Sequence, residues 1–447
     1  MVQGPMLLVI LVIAIIAIVL LISKLRLHAF LALLFAAFFV GISAGMNPVD
    51  VTKTIGNGFG GVAGNIGIVI ILGTIIGVML EKSGAALTMA ETVLKLVGEK
   101  RPALAMSLIG YIVSIPVFCD SGYVILSSLN KSLSKRTGVS MATMAVALST
   151  GLYATHTLVP PTPGPIAAAN ALHADLGMVI AVGLLVALPV AFAGYLWATL
   201  VASRYHVEVG TGETFEELVA KFKKLPSPTA AFAPIIVPIL LIGLKSLADF
   251  PNAPLGKGAL FQLLAFTGQP MVALIVGLFL CIALVPKLNE EVMTNWVGEG
   301  LKDSASIIMI TAAGGSLGAI LAATKIGNYL GMSLAQFNLG IFLPFIIAAA
   351  LKTAQGSSTV ALITTSTIVY PLLGTLGLAS PMGAVLTTMS IGCGAMVVSH
   401  ANDSYFWVVS QFSNMKVDVA YPTQTMATLV QGLVGIITVW VLHLFLL

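Results

Sequence analysis

Uncharged apolar stretches long enough to cross a membrane recur along the whole sequence. The first of them, residues 6–23, contains no charged side chain. A helix needs about 20 apolar residues to span the hydrocarbon core of a bilayer. Only 9% of the 447 residues are charged, whereas soluble domains average about 25%. A soluble globular protein is therefore excluded, and the continuous runs favour helices over the short alternating strands of a membrane β-barrel.

The sequence predicts an all-α polytopic membrane protein with about ten spans and two hairpins. The predicted spans are 6–23, 28–45, 61–80, 141–155, 177–202, 231–247, 271–286, 304–324, 382–398 and 423–447. The first stretch lacks a basic leader and a small-residue cleavage site, so we interpret it as a retained helix. The formal net charge of +4 is small for a nucleic-acid-binding protein, and we attribute it to membrane orientation.

Two further apolar regions, 104–130 and 335–375, have polar, helix-breaking centres. The centres are PVFCDSGY at 116–123 and KTAQGSST at 352–359. Each region could be two ordinary spans joined by a loop, or a re-entrant hairpin that leaves on the side it entered. Non-helical backbone at membrane depth is tolerated only against protein or a water-filled cavity. Such a centre is therefore a candidate part of a site.

The positions of the basic residues favour the re-entrant hairpin. Lys24 and Arg26 follow the first span, which predicts an N-terminus outside and, after an even number of spans, a C-terminus outside as well. The basic segment that includes Lys131, Lys135 and Arg136 follows 104–130. It stays on the cytoplasmic side only if 104–130 re-enters. We therefore expect a hairpin there, in a multi-pass protein of the cell membrane.

A polar linker at 203–229 divides the chain near its midpoint, and its lysines predict that it is cytoplasmic. The first half, 1–202, and the second, 230–447, show the same order: spans, a hairpin, a broken helix and a last span. The broken helices are predicted at 141–165 and 382–407. Because each half crosses the membrane an odd number of times, the halves are inserted in opposite orientations. This is the pattern of a transporter with two inverted-topology repeats and a site between them.

Each predicted broken helix carries a histidine next to a hydroxyl residue, Thr155-His156 in the first and Ser399-His400 in the second. Prolines follow His156 closely, and proline breaks a helix and removes a donor. An intramembrane histidine can also act only as a hydrogen-bonded helix cap. The matched order in both halves favours a role in lining a site.

Three charged residues are predicted near the middle of the membrane: Asp120, Lys352 and Asp403. A carboxylate at that depth costs about 2.5–3.5 kcal/mol, so it is usually functional or paired. Asp120 could be a purely structural partner of Lys352. Lys352 could attract a substrate carboxylate or only extend towards the interface. The segment 356–359, GSST, offers hydroxyls and amides at a half-helix N-terminus, which favours anions.

These motifs resemble those of the gluconate permease family (gluconate:proton symporters) within the ion transporter superfamily. The matching stretches are PVFCDSGYVIL at 116–126, THTLVPPTPGPIAAA at 155–169, HADLG at 173–177, QGSSTVALITT at 355–365 and SHANDSYFW at 399–407. The resemblance implies inward transport of small sugar acids and related hydroxy or amino acids with protons. It also implies a homodimer. Lys352 stands where an arginine is expected in gluconate carriers, and lysine holds a carboxylate only as a point charge.

The sequence thus predicts a secondary active symporter for gluconate or a related small hydroxy-carboxylate, with no cofactor and no metal. The predicted substrate-binding residues are Ser121, Gly122, Thr155, His156, Lys352, Gln355, Gly356, Ser357, Ser358, Thr359, Ser399 and Asn402. The predicted proton-coupling residues are Asp120, His156, His400 and Asp403, since histidine titrates nearest physiological pH. The expected partners are the carboxylate, a proton or sodium ion and the lipid bilayer, with no nucleic acid.

Three alternatives stay open at the level of sequence. Sodium could replace the proton in a carboxylate or amino-acid symporter of the same architecture. An intramembrane enzyme could use Ser399, His400 and Asp403, but a nucleophile and base need hydrogen-bond geometry that a sequence does not define. A channel would show rings of like charge or a filter repeat, and neither is present. The chain also lacks the motifs of ATP-binding sites and metalloproteases.

Overall fold

The structure is a computed structural model that describes residues 2, 5–98, 100–209, 215–220, 222, 224–248, 258–285, 288–324, 339–400 and 403–447. Every regular element within these residues is a helix, which confirms the predicted all-α class. The helices are α1 (Pro5–Ser23), α2 (Ala29–Ser43), α3 (Pro48–Lys82), α4 (Ala85–Val97), α5 (Pro102–Val113), α6 (Cys119–Thr137), α7 (Met141–Leu158), α8 (Pro163–Ala171), α9 (Leu176–Leu200), α10 (Phe215–Ala220), α11 (Pro228–Ala248), α12 (Ala259–Thr267), α13 (Pro270–Leu284), α14 (Val297–Ala323), α15 (Phe342–Gln355), α16 (Ser358–Val369), α17 (Pro381–Gly394), α18 (Ser404–Phe412), α19 (Val417–Ala420) and α20 (Met426–Leu446).

Several helices begin at a polar side chain that accepts a hydrogen bond from the first turn. The Asn47 side chain accepts from the Val49 amide at 2.9 Å, and proline follows as the first residue of α3. Ser380 caps α17 by accepting from the Gly383 amide at 3.0 Å, again with proline next. These caps satisfy donors that the helix itself leaves free. They fix where the long helices start.

Within the described residues, four helical segments are long and apolar enough to cross a membrane. They are Leu176–Arg204, Pro228–Ala248, Glu291–Ala323 and Val417–Leu446. Two bent pairs raise the number to as many as six: α3, bent by 45°, and α12 with α13, bent by 70°. The protein is therefore a multi-pass membrane protein. The ten predicted spans stay a prediction.

Two helix pairs coincide with the regions predicted as hairpins. In the first pair, α5 and α6 are joined by non-helical residues 114–118. In the second pair, α15 and α16 are joined by Gly356 and Ser357. Gly356 has a φ of +91°, a conformation that glycine adopts without the strain of a side chain. The polar centres recognised in the sequence therefore do interrupt helices.

Two helices are interrupted where broken helices are predicted. The helix α7 ends at Leu158, and α8 starts at Pro163 after a four-residue interruption. The helix α17 ends at Gly394 and α18 starts at Ser404. Thr155 and His156 thus lie in the last helical turn of α7, immediately before the interruption.

Three packed sets of helices are seen in the described residues. The long helices α3 and α14 pack against each other, with α2 and α13 beside them. The helices α5, α7 and α9 form one packed set, and α15, α17 and α20 form another. These two sets meet through α9 with α20 and through α7 with α17. The interrupted helices therefore lie together at the centre of the described structure.

A glycine on α3 permits close approach of the first helix pair. A Cβ added at Gly77 would lie 2.9 Å from the Pro116 carbonyl oxygen, which is closer than side-chain carbons come to backbone. Pro116 belongs to the link between α5 and α6. Gly77 therefore lets α3 contact the link that begins the candidate site.

Candidate functional site

Three helix N-termini and one helix C-terminal turn surround a half-open cavity of about 280 Å³. The N-termini are those of α6, α16 and α18, and the C-terminal turn is that of α7. The lining residues are Phe118, Cys119, Asp120, Tyr153, His156, Gly356, Ser357, Ser358, Thr359, Asp403, Ser404 and Tyr405. Helix N-termini carry unpaired amides and partial positive charge, which favour an anion. Their convergence makes this cavity the candidate binding site.

A buried ion pair lies directly behind the cavity wall. The Lys352 ammonium is 2.6 Å from Asp403 Oδ2, and it also donates a hydrogen bond to the Gly356 carbonyl. Lys352 has no solvent exposure, and Asp403 is 5% exposed. Both partners of the lysine line the cavity. The suggestion that Lys352 only extends to the membrane interface is therefore wrong, and so is its pairing with Asp120.

Asp403 accepts further hydrogen bonds that hold it at the start of α18. Its Oδ2 accepts from the Ser399 hydroxyl at 2.5 Å, and its Oδ1 accepts from the Tyr405 amide at 3.1 Å. The carboxylate thus caps the helix as well as pairing with Lys352. A charged group with this many partners can persist in a buried position.

Asp120 lies in the first turn of α6 and also lines the cavity. Its Oδ1 is 3.4 Å from the Ser404 hydroxyl, and its Oδ2 is 3.6 Å from the Cys119 thiol. The side chain is partly exposed and lies within electrostatic reach of Asp403. The cavity therefore has two carboxylates and one adjoining ammonium among its described residues.

His156 is the imidazole that lines the cavity. Its ring stacks on Tyr153 with centroids 6.3 Å apart, and Phe118 lies 6.0 Å away. The side chain is 6% exposed. Its Nδ1 has no hydrogen-bond partner among the described residues. A buried polar atom without a partner is costly, so it marks a position where a bound hydroxyl can contribute.

The remaining predicted residues lie around the cavity but do not all face it. Thr155 donates to the Tyr111 carbonyl at 2.9 Å and is fully buried. Ser399 donates to Asp403, and the His400 Nε2 lies 2.8 Å from the Thr353 carbonyl. Ser399 is thus bonded to a carboxylate and not to His400, which gives no nucleophile–base pair.

Four other predicted residues either do not line the cavity or have side chains outside the described part of the chain. Ser121 and Gly122 lie in the first turn of α6 but are not among the residues that line the cavity. Gln355 ends α15, and its side chain lies outside the described part of the chain. Asn402 also lies outside the described residues.

Sequence reasoning missed the aromatic residues of the site. Tyr153 is 1% exposed, and its ring centroid lies 5.1 Å from that of Tyr405. The Tyr405 hydroxyl donates to the Ser149 carbonyl at 2.9 Å. Tyr405, Cys119 and Phe118 all stand inside the quoted motifs. None of these three residues was among the predicted site residues.

A comparison with protein families identifies the kind of protein that contains this site. The model of the GntP family permeases matches residues 6–445, which is nearly the whole chain. The chain belongs to the GntP permease family. It is a membrane transporter and not an enzyme.

Two curated relatives match along nearly their full length. A gluconate permease of Pseudomonas aeruginosa is 33% identical over 435 residues, covering 95% of this chain and 95% of the relative. The D-serine transporter DsdX of Escherichia coli K12 is 34% identical over 422 residues, covering 93% and 94%. Relatives named for a sugar acid and for an amino acid are thus about equally similar to this permease.

A solved structure shares the fold. The YdaH transporter of Alcanivorax borkumensis aligns with a TM-score of 0.68 at 14% identity, covering 94% of this chain and 98% of that chain. At this identity the likeness concerns the fold alone. The described residues of the permease therefore have a fold already seen in a transporter structure.

Proposed function

We propose that this permease carries gluconate or a related small hydroxy-carboxylate into the cell by proton symport through the cavity between α6, α7, α16 and α18. The observation that carries the proposal is the convergence of three helix N-termini in front of the buried Lys352 ammonium. Partial positive charge from helix ends and a full positive charge both favour a carboxylate there. The volume of about 280 Å³ suits a small organic acid.

The substrate carboxylate is proposed to lie at the N-terminus of α16, near Gly356 and Ser358. The Thr359 hydroxyl and the His156 imidazole line the same cavity and can bond the hydroxyl groups of a sugar acid. His156 supports this assignment because its Nδ1 lacks a partner within the described structure. A hydroxyl group of a polyhydroxylated acid can form a hydrogen bond with that nitrogen, whereas a plain fatty acid has no hydroxyl group to do so.

Reciprocal packing supports the proposed inverted repeat. The helix α8, after the first interruption, packs on α16 of the second helix pair. The helix α18, after the second interruption, packs on α6 of the first helix pair. The pairs α3 with α14 and α9 with α20 relate corresponding helices of the two halves in the same way. The termini are proposed to lie outside and the linker 203–229 in the cytoplasm.

The coupling ion is proposed to be a proton, carried by one of the titratable groups at the site. Asp120, Asp403 and His156 line the cavity, and His400 lies on the same interruption as Asp403. Sodium coupling is the alternative, because hydroxyl and carbonyl oxygens of an interrupted helix also suit sodium. A homodimer remains a proposal from the family resemblance.

An amino acid is the second candidate substrate. One observation favours it: Asp120 is a partly exposed carboxylate that lines the cavity, whereas the Asp403 carboxylate there is paired with Lys352. It can pair with a substrate ammonium, while the substrate carboxylate occupies the helix N-termini. The D-serine transporter among the relatives agrees with this chemistry.

Uptake into proteoliposomes tests the proposal. Purified permease is reconstituted, and labelled gluconate and labelled D-serine are each offered with a pH gradient, with a sodium gradient, and with neither. We expect gluconate accumulation with the pH gradient alone. Accumulation driven only by the sodium gradient would show that sodium, not the proton, is the coupling ion. Accumulation of D-serine but not gluconate would show that the substrate is an amino acid. If no gradient drives either compound above protein-free liposomes, the proposed function is wrong.

A further inference from the structure

We propose that Asp403 is the proton-coupling residue and that it acts by masking Lys352: only when Asp403 is protonated is the lysine charge free to attract the substrate carboxylate. This rests on the proposed function of the same cavity. An ionised Asp403 and a substrate anion thus compete for the charge of one ammonium.

The contacts of Lys352 show how Asp403 can mask the lysine charge. Its ammonium has three N–H donors, and the structure assigns one to Asp403 and one to the Gly356 carbonyl. Both of these partners are part of the cavity wall. While Asp403 is ionised, it cancels the lysine charge at 2.6 Å. A carboxylate entering the cavity then meets a neutral pair and not a free cation.

The other groups around Asp403 determine how much negative charge the site carries. Those within electrostatic reach of it are Lys352 from α15, Cys119 and Asp120 from α6, and Tyr153 and His156 from α7, while Tyr405 and His400 lie along its own segment. Among these, Lys352 is the ammonium paired with Asp403, and Asp120 is a second carboxylate. A substrate anion would bring three negative charges against one positive charge. Uptake of one proton offsets the negative charge that the substrate adds.

The hydrogen bonds of Asp403 allow that proton without unwinding α18. A hydronium ion from the solvent transfers its proton to Asp403 Oδ2, so one O–H bond of the hydronium breaks, one O–H bond forms on the carboxyl group, and a neutral water is left. The Ser399 hydroxyl, which donates to Oδ2 at 2.5 Å, can then accept from it. Oδ1 continues to accept from the Tyr405 amide. The cap of the helix is therefore kept in both protonation states.

The charge balance explains why a proton and a carboxylate travel together. The empty site holds Lys352, Asp403 and Asp120 with a sum of one negative charge. The loaded site holds the lysine, a neutral Asp403, Asp120 and the substrate monoanion, which again sum to one negative charge. Asp120 does not contact Lys352, so its protonation would not free the lysine. This geometry favours Asp403 over Asp120 as the coupling group.

Proton uptake by the unaltered protein is the first test. Gluconate is added to purified permease in weakly buffered detergent solution, and the pH change is recorded with a dye. We expect about one proton taken up per gluconate bound, and an affinity that falls about tenfold per pH unit once Asp403 ionises. Binding without proton uptake would overturn the proposal while leaving gluconate transport intact. If gluconate does not bind at any pH, the proposed substrate has failed, and D-serine is used as the probe.

Matched variants assign the proton to a residue. Asp403→Asn keeps the Oδ1 acceptor for α18 but cannot ionise, and Asp120→Asn is the same change at the other carboxylate of the cavity. We expect Asp403→Asn to bind gluconate equally at all pH values and to exchange it across the membrane, but to lose accumulation driven by a pH gradient. Asp120→Asn should keep proton uptake on binding. The reverse pattern, or proton-driven accumulation by Asp403→Asn, would overturn the assignment.

Discussion

Lys352 and Asp403 are 51 residues apart in the chain and form a buried ion pair 2.6 Å long. The lysine comes from the end of α15, and the aspartate caps the start of α18. The pair therefore joins the second helix pair to the second interrupted helix. Since both interruptions of the second half meet at this contact, its charge state can influence the wall of the whole cavity.

Removing the negative charge of the pair should destabilise the empty protein. Asp403→Asn leaves Lys352 buried without a counter-charge, and breaking a buried pair in this way costs about 3–5 kcal/mol. A substrate carboxylate supplies the missing charge, so gluconate should raise the melting temperature of the variant more than that of the unaltered protein. Thermal unfolding in detergent with and without gluconate measures both effects.

The control for this experiment is Glu91→Gln. Glu91 pairs with Lys95 at 3.7 Å on the exposed side of α4, and such pairs contribute at most about 1 kcal/mol. This variant should unfold like the unaltered protein and show the same response to gluconate. An Asp403→Asn protein with unchanged melting temperature and no added response would show that the pair is not needed in the empty state.

Removing the positive charge should weaken substrate binding. Lys352→Met keeps the length of the side chain but no donor, and a hydrogen bond to a charged group contributes about 1.5–3 kcal/mol. We therefore expect an affinity for gluconate about 10- to 150-fold lower. Equilibrium binding of labelled gluconate to the purified variant measures it. Lys95→Met, at an exposed position, is the matched control, and equal affinities of the two variants would remove Lys352 from the site.

The sequence predicted the class, the interruptions and most of the chemistry because these depend on local patterns. Apolar length predicts helices, and Gly356 and the prolines after His156 mark interruptions without knowledge of the fold. The pairing of Lys352 could not be predicted in this way. Asp120 and Asp403 are both carboxylates near a helix start, and only the packing of α15 on α17 decides which one reaches the lysine.

The aromatic contacts of the site could not be predicted from the sequence either. Tyr153 lies one turn before His156 in an apolar helix, where a tyrosine is as often a packing residue as a ligand neighbour. Its ring becomes part of the site only because Tyr405 is packed against it from α18. Such a contact between distant segments leaves no periodic signal in the sequence.

The charge balance predicts how transport depends on membrane potential. Gluconate is a monoanion at neutral pH, so its transport with one proton moves no net charge. D-serine is a zwitterion, so with one proton it moves one positive charge. A potassium diffusion potential set with valinomycin should leave the initial rate of gluconate uptake unchanged and should accelerate D-serine uptake when the interior is negative. A gluconate rate that follows the potential would indicate more than one coupling cation per substrate.

A larger residue at Gly77 should slow transport while sparing binding. Its Cβ would press on the Pro116 carbonyl at 2.9 Å, and overpacking of this kind costs about 1–3 kcal/mol. Pro116 lies in the link between α5 and α6, whereas the cavity begins at Phe118. Gly77→Val therefore strains the contact between α3 and the site-bearing elements without entering the cavity.

Gly60→Val is the control on the same helix, because a Cβ there meets nothing within 4 Å. We expect Gly77→Val to bind gluconate normally in detergent but to exchange it at least several-fold more slowly in proteoliposomes, while Gly60→Val does both normally. Equal exchange rates would show that α3 and the link do not move against each other during transport.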